Sequence, residues 1–211
     1  MIPSFFGSIV NPITPFNPSN FKESVQNLTI TSIGSPILST AQKKFGTSSL
    51  YLNNYNVDAL SVVNNSAWNI ATNNGGFDFW LNISSGYPQG FVSQGNWFTY
   101  GNGAYALQSS IELYGGIFTS GTWRHLEFNQ TGGITRFFLD GILAASSPSI
   151  GYFTSNSNPL LIGETSVYRG FQGYMDELRF FDSAHAHTNN FTPPTTPYVN
   201  ADALALFHFD G

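Results

Sequence analysis

The chain has 211 residues, the length of one domain or a little more, and at 41% hydrophobic it can bury a sizeable core, which excludes intrinsic disorder for most of it. Only 9% of residues are Asp, Glu, Lys or Arg, and the net charge is −5. The seven cations are scattered, so they offer no basic footprint for nucleic acid; there is no cysteine for disulfides or thiolate sites, and no apolar run approaches a membrane span.

The first 21 residues carry no charge and are interrupted by Pro3, Pro12, Pro15 and Pro18. A secretory leader wants a basic start and an unbroken apolar stretch, so the segment is not expected to be one. The prolines exclude a helix, because each lacks a backbone donor and fixes φ. Residues 1–21 are therefore expected to form an extended apolar arm, docking on a partner through Phe5, Phe6, Ile9, Val10 and Phe16. The folded domain is expected over residues 22–211.

Beyond the arm, 20 Phe, ten Tyr and 21 Gly point to strands and turns. Short strands are expected at Ser49–Leu52 and Leu60–Val63, with a helical turn near Ser66–Ile70. Phe77, Phe79, Leu81 and Ile83 alternate with Asp78, Trp80 and Asn82, a period of two. Gly90–Gln94 and Trp123–Asn129 follow. Arg136–Leu139 and Ile142–Ala144 flank Asp140-Gly141, a pair suited to a tight hairpin because Gly accepts positive φ. Leu160–Ile162, Tyr174–Phe181 and Ala203–Phe209 complete the series, with a turn near Ala184–Phe191. Many short strands without heptads or repeats imply an all-β sandwich.

The order of the segments is similar to that of the laminin-G-like, concanavalin A-like jelly rolls. Lys44-Phe45-Gly46-Thr47-Ser48-Ser49-Leu50-Tyr51-Leu52 resembles the family's "KFG-x-SSL-x-F" strand, and Gly76-Phe77-Asp78-Phe79-Trp80-Leu81 its "F-x-x-x-FW" strand. Trp123-Arg124-His125-Leu126 resembles "W-x-H-V", Thr135–Gly141 the strand into the hairpin, and Gly173-Tyr174-Met175-Asp176-Glu177-Leu178-Arg179 "G-x-I-DELR". Asn190–Pro194 and Leu206–Gly211 resemble the closing "NFTPP … FDG". The resemblance implies a two-sheet antiparallel jelly-roll sandwich, and is strongest to members encoded by tailed bacteriophages. Asn53-Asn54 and Asn56-Val57-Asp58 depart from the family's Asp-Gly and Asp-Tyr pairs, and Ala186 stands where an Arg is common.

Glucanases of this fold use two close carboxylates, usually as Glu-x-Asp-x-x-Glu on one strand. That spacing is absent; Glu112 and Glu127 stand apart, and the adjacent Asp176 and Glu177 face opposite sides of a regular strand. These two are expected to form a strand-end network with backbone or arginine donors, without catalysis. Asp58 and Asp176 are candidate ligands for a structural calcium, provided they meet across the sandwich. His185 and His187 are expected in a turn, since zinc would need further ligands and His125 and His208 fall in strands. Trp80 and Trp123 are expected in the core. Asn96, Trp97, Tyr100, Asn102 and Tyr114 are the candidate glycan-binding set, with packing at a sheet margin as the competing use of the rings.

The expected function is that of a non-catalytic bacteriophage virion protein, a head decoration or tail-associated module. It is expected to contact other virion proteins, to form a homo-oligomer, and to adhere to host surface polysaccharide. A stand-alone lectin module and a divergent glycoside hydrolase are the alternatives. No cofactor is expected apart from the candidate calcium, and neither nucleic acid nor membrane is an expected partner.

Overall fold

The computed structural model describes residues 21–53, 57–84, 90–95, 97–100, 105–108, 111–114, 119–148, 153, 156–164 and 170–211; the side chains at 98, 100, 105–108 and 111–114 are outside that description. In chain order the strands are Ile30–Ile33 (β1), Ile37–Ser39 (β2), Ser49–Leu52 (β3), Ala59–Val62 (β4), Gly76–Ile83 (β5) and Gly90–Gln94 (β6). Trp97–Tyr100 (β7), Tyr105–Gln108 (β8), Ile111–Tyr114 (β9), Arg124–Thr131 (β10) and Ile134–Leu139 (β11) follow. Ile142–Ser147 (β12), Leu160–Ile162 (β13), Gly173–Phe181 (β14) and Ala205–Phe207 (β15) close the series. One helical turn covers Ser66–Trp68 and a four-residue helix spans Ile70–Asn73 (α1).

The strands form two antiparallel sheets. One runs β1-β4-β13-β6-β7-β8-β9 and the other β12-β11-β10-β5-β14-β3-β2, with β15 beside the second half of β14. The jelly-roll sandwich expected from the sequence is the architecture observed. The hairpin at Asp140-Gly141 is present too, joining β11 to β12.

The core lies between the sheets, and Phe77 stands at its centre. Its ring meets those of Phe79, Trp97, Phe128, Phe153 and Phe180 at centroid separations of 5.3–6.2 Å. Offset and edge contacts at this spacing add to the burial of large apolar surface. Period-two alternation puts Phe77, Phe79, Leu81 and Ile83 on this side. Yet all eight residues of β5 are buried, including Asp78, Trp80 and Asn82. The outer face of the sheet is therefore covered as well.

That cover is the C-terminal segment. The Phe191 amide donates to the Gly141 carbonyl (2.8 Å), the Leu143 amide to Asn190 Oδ1 (2.8 Å), and the Leu204 amide to the Phe180 carbonyl (2.7 Å). Gly141 has φ of 76°, and a Cβ there would collide with the Phe191 carbonyl, so glycine is required for both the turn and the approach.

Residues 1–20, with Phe5, Phe6, Ile9, Val10 and Phe16, lie outside the described residues. Phe21, counted with the arm in the sequence reading, is 7% exposed and belongs to the core cluster. Two strands precede Ser49 and three occupy 97–114, none of them expected from sequence.

Trp97 corrects a sequence expectation. Instead of presenting a sugar platform it is fully buried, with its ring 5.5 Å from Phe77 and 5.3 Å from Phe153. Two residues connect β6 to β7, so Trp97 falls opposite Gln94 and faces the core with it. Trp97→Ala should lower the free energy of unfolding by about 3–5 kcal/mol, as large-to-small changes at packed aromatics do. Urea titration checks this, and a loss below about 1 kcal/mol would contradict the packing described.

Candidate functional site: the covered polar face

The outer face of β5, β10 and β14 carries Asp78, Trp80, His125, Glu127, Asn129, Asp176, Glu177 and Arg179, all buried. Buried charge is costly unless paired and hydrogen-bonded, and Asp78, Glu127, Glu177 and Arg179 meet that condition through the partners below. Arg179 stands across from Asp78 in the β14–β5 register and holds it through two hydrogen bonds, Nε to Oδ1 at 3.0 Å and Nη2 to Oδ2 at 2.7 Å. The Tyr198 hydroxyl donates to the same Oδ2 (2.6 Å), and its ring lies 3.8 Å from the guanidinium carbon of Arg179. His125 Nε2 is 3.0 Å from that hydroxyl. Because the hydroxyl proton is committed to Asp78, the proton between these two must come from His125 Nε2.

Burial by itself would raise the Asp78 carboxyl, but the charge and hydrogen bonds of Arg179, with His125 3.6 Å away adding to them, outweigh it and hold the group at about 2. The same partnership raises Arg179 against its own burial. Burial first, then the Asp78 charge, raises the Tyr198 hydroxyl well above its ordinary value. A carboxylate so firmly ionised has no proton to give at neutral pH and is a poor general acid.

Glu127 is completed from the covering segment. It accepts from His187 Nδ1 (2.7 Å), from the His187 amide (3.2 Å) and from Asn129 Nδ2 (2.7 Å), while the His187 ring stacks on Phe191 at 3.6 Å. Glu177 accepts from the Tyr198 amide (2.8 Å) and pairs with His208 Nδ1 (2.7 Å); that hydrogen bond raises the imidazole.

Asp176 and Glu177 do not face opposite sides. Met175 and Leu178 both point into the core with two residues between them, and the register shifts between Asp176 and Arg179. A β-bulge at Glu177, whose φ is 53°, turns both carboxylates outward. The strand-end network is thus present, with the extra residue as its geometric basis. Asp176 Oδ2 accepts the backbone amides of Lys44 (2.8 Å) and Phe45 (3.1 Å), and Oδ1 is buried without a partner. Burial raises this carboxyl to about 7; the two amides oppose that shift, and Glu177 and Asp210 add to it.

Two clefts open beside the covering segment, and Pro194 lines both. The first, about 490 Å³, has Asp78 and Arg179 on its floor and His185, His187, Phe191 and Tyr198 among its walls. The second, about 630 Å³, is lined by Lys44, Phe45, Trp80, Trp123, Arg124 and Asp140, with residues 193–195 as one wall. Trp123, expected in the core, is only half-buried just before β10 and faces this second cleft. Trp80 is buried, but on the outer face against Phe45 and His125.

Of the glycan set read from sequence, Asn96 and Asn102 lie outside the described residues. Tyr100 and Tyr114 fall in one cross-strand row, each opposite Tyr105 in the register. Asp58 and Asp176 serve different loops: Asp58 accepts the amides of Ser35 (2.8 Å) and Asn53 (3.2 Å), and Asp176 those of Lys44 and Phe45. Among the described residues no group of three or more His, Asp or Glu side chains is arranged to hold a metal ion. Calcium wants six to eight oxygens; three of these four carboxylate oxygens face N–H donors, and Asp176 Oδ1 does not. His185 sits in a turn between Asp182 and Asp202, 3.3 and 3.6 Å away.

The profile of the concanavalin A-like lectin/glucanases superfamily matches residues 51–188. The chain belongs to this superfamily. No curated protein sequence matches it. Among solved structures it is similar to domain 4 of AbnA, a GH43 extracellular arabinanase from Geobacillus stearothermophilus, in complex with arabinotriose: 17% identity, 72% of this chain and 80% of that one covered, TM-score 0.55. It is also similar to the enzymatically active domain of bacteriophage CBA120 tailspike protein 2 (11% identity, 87% and 33% covered, TM-score 0.56). The botulinum neurotoxin serotype D binding domain is a third (14% identity, 83% and 45% covered, TM-score 0.51). The chain thus spans a third of the tailspike domain and under half of the neurotoxin domain. At these identities the likeness is one of fold.

Two outcomes test the network. Arg179→Met leaves Asp78 buried without its counter-charge and should cost about 3–5 kcal/mol in urea unfolding, whereas Asp78→Asn combined with Arg179→Met should recover part of the loss. Equal losses in the single and double variants would contradict the pairing. For Asp176, the unfolded carboxyl ionises near pH 4 and the folded one near 7. Its contribution to stability is complete below about pH 4 and declines as pH rises to about 7. Asp176→Asn should therefore gain on the wild type by on the order of 2 kcal/mol between pH 4.5 and 8. A pH-independent difference in melting would refute this.

Proposed function

We propose that this protein is a non-catalytic carbohydrate-binding module carried on a bacteriophage particle, attaching to host surface glycans. The observation that carries the non-catalytic part is the commitment of the carboxylates on the covered face. Asp78, Glu127, Asp176 and Glu177 are each 0–1% exposed and each bonded to arginine, histidine, asparagine, tyrosine or backbone donors. Glycoside hydrolysis needs two carboxyl groups flanking an accessible scissile bond, one of them able to deliver a proton.

The binding part is supported by the superfamily, by the arabinotriose bound to the AbnA domain of like fold, and by open clefts that combine aromatic rings with polar groups. The virion part is supported by the motifs that resemble phage-encoded members and by the fold shared with a phage tailspike domain. Residues 1–20 would then be the attachment to other virion proteins, since a chain of Phe and Ile side chains gains about 1.5–3 kcal/mol per residue buried.

Deletion of residues 1–20 tests attachment and binding separately. The truncated protein should melt as the full chain does and still bind host polysaccharide, but fail to join particles lacking the native protein. Truncated protein that joins particles normally would overturn the attachment role, and full-length protein that binds no host polysaccharide would overturn the glycan role. Turnover of a β-glucan or other host polysaccharide, lost on replacing Asp78, Glu127, Asp176 or Glu177, would overturn the non-catalytic reading.

A further inference from the structure

The second cleft is lined by more positive than negative side chains. The chain carries a net −5, yet this cleft holds Lys44 and Arg124 against the single carboxylate of Asp140. Arg124 is paired with Asp140, its Nε 2.5 Å from Oδ2, and Asp140 Oδ1 accepts the His125 amide at 2.8 Å. Lys44 forms no ion pair among the described residues. Its ammonium instead stands 3.7 Å over the Trp80 ring and 5.6 Å from the Phe45 ring centre. An aromatic face attracts a cation without cancelling its charge. Burial lowers the ammonium from its ordinary value, with Asp140 opposing that shift, so the group is partly stripped of water without a direct counter-ion.

The ammonium is also held in place. Asp176 takes the backbone amides of Lys44 and of Phe45, and the Phe45 ring meets Trp80 edge-on at 6.0 Å. Trp80 is in turn fixed by its place in β5 and by the His125 ring 5.1 Å away. The half-buried Trp123 and the Pro193–Thr195 wall complete the cleft with apolar surface and a hydroxyl. A sugar ring offers C–H faces to an aromatic side chain and hydroxyls to polar groups, and a carboxylate on that ring would supply the missing counter-charge.

We propose that this cleft is the glycan site and that it selects saccharides bearing a carboxylate, such as uronic or sialic acids. In this arrangement Lys44 takes the carboxylate and Trp123 the ring face. The inference rests on the carbohydrate-binding reading and narrows it to one site and one chemical class.

The test is a glycan array holding carboxylate-bearing and neutral saccharides, followed by affinity measurements on the tightest acidic ligand and on its carboxyl-reduced counterpart, in which the carboxylate has become a primary alcohol. The acid should bind at least tenfold more tightly at low salt, and the advantage should shrink in 0.5 M NaCl as the exposed pair is screened. Lys44→Gln should abolish the preference, Lys44→Arg should keep most of it, and Trp123→Ala should weaken both ligands; thermal melting confirms that each variant is folded. Binding of neutral glycans alone, or equal affinity for the acid and its reduced form, overturns the acidic selectivity and leaves the carbohydrate reading standing. A preference that survives in Lys44→Gln overturns the site. An array on which nothing binds overturns both.

Discussion

The bidentate pair of Asp78 and Arg179 is the interaction on which the outer half of the molecule depends. It crosses the two central strands of the eight-stranded sheet at a position opposite the Phe77–Phe180 contact in the core. A buried guanidinium and carboxylate tolerate that position only while every remaining hydrogen-bonding site is met. The C-terminal segment contributes to this: Tyr198 supplies a hydroxyl to Asp78 and a ring over Arg179, and its amide binds Glu177. The charges and the segment that covers them therefore require each other.

The bulge at Glu177 extends the same logic along β14. A regular strand would have sent one of the two adjacent carboxylates into the aromatic core, where nothing could neutralise it. With the extra residue, both face outward and divide the work. Glu177 secures the returning chain through Tyr198 and His208, while Asp176 secures the Lys44–Phe45 turn on the other side. The positive φ at Glu177 is the local cost of that arrangement.

The two clefts follow from where the covering segment touches down. It is pinned to the β11–β12 hairpin at Asn190 and Phe191 and to the central strands at Tyr198. Between those anchors the Pro193-Pro194 stretch forms a ridge, with Pro194 lining both clefts. One side of the ridge opens over Asp78 and Arg179 and is electrostatically satisfied. The other opens over Lys44 and Trp123, where positive charge is in excess. A surface poor in charge elsewhere gives that difference its weight.

Much of the sandwich was legible in the sequence. The alternation of Phe77 to Ile83 set the inner face of the central strand, and Asp140-Gly141 set a hairpin, because both signals are local: a period of two and a residue that accepts positive φ. The motif order around Trp123, Asp176 and Arg179 located the strands that carry the polar face. The glycan set was less legible. Trp97 looked like a loop-side ring, but a two-residue connection fixed its register and sent it into the core. Trp123 looked like a core ring and lines a cleft. Lys44 gave no signal, since its standing depends on Asp176, Trp80 and Asp140, which are distant in sequence. By itself the sequence determined the strand periodicity, the turn positions and the shortage of charge. Only the tertiary structure decided which carboxylates are neutralised and which cation is left over, because burial and pairing are set by register, by a bulge and by where the last thirty or so residues fold back.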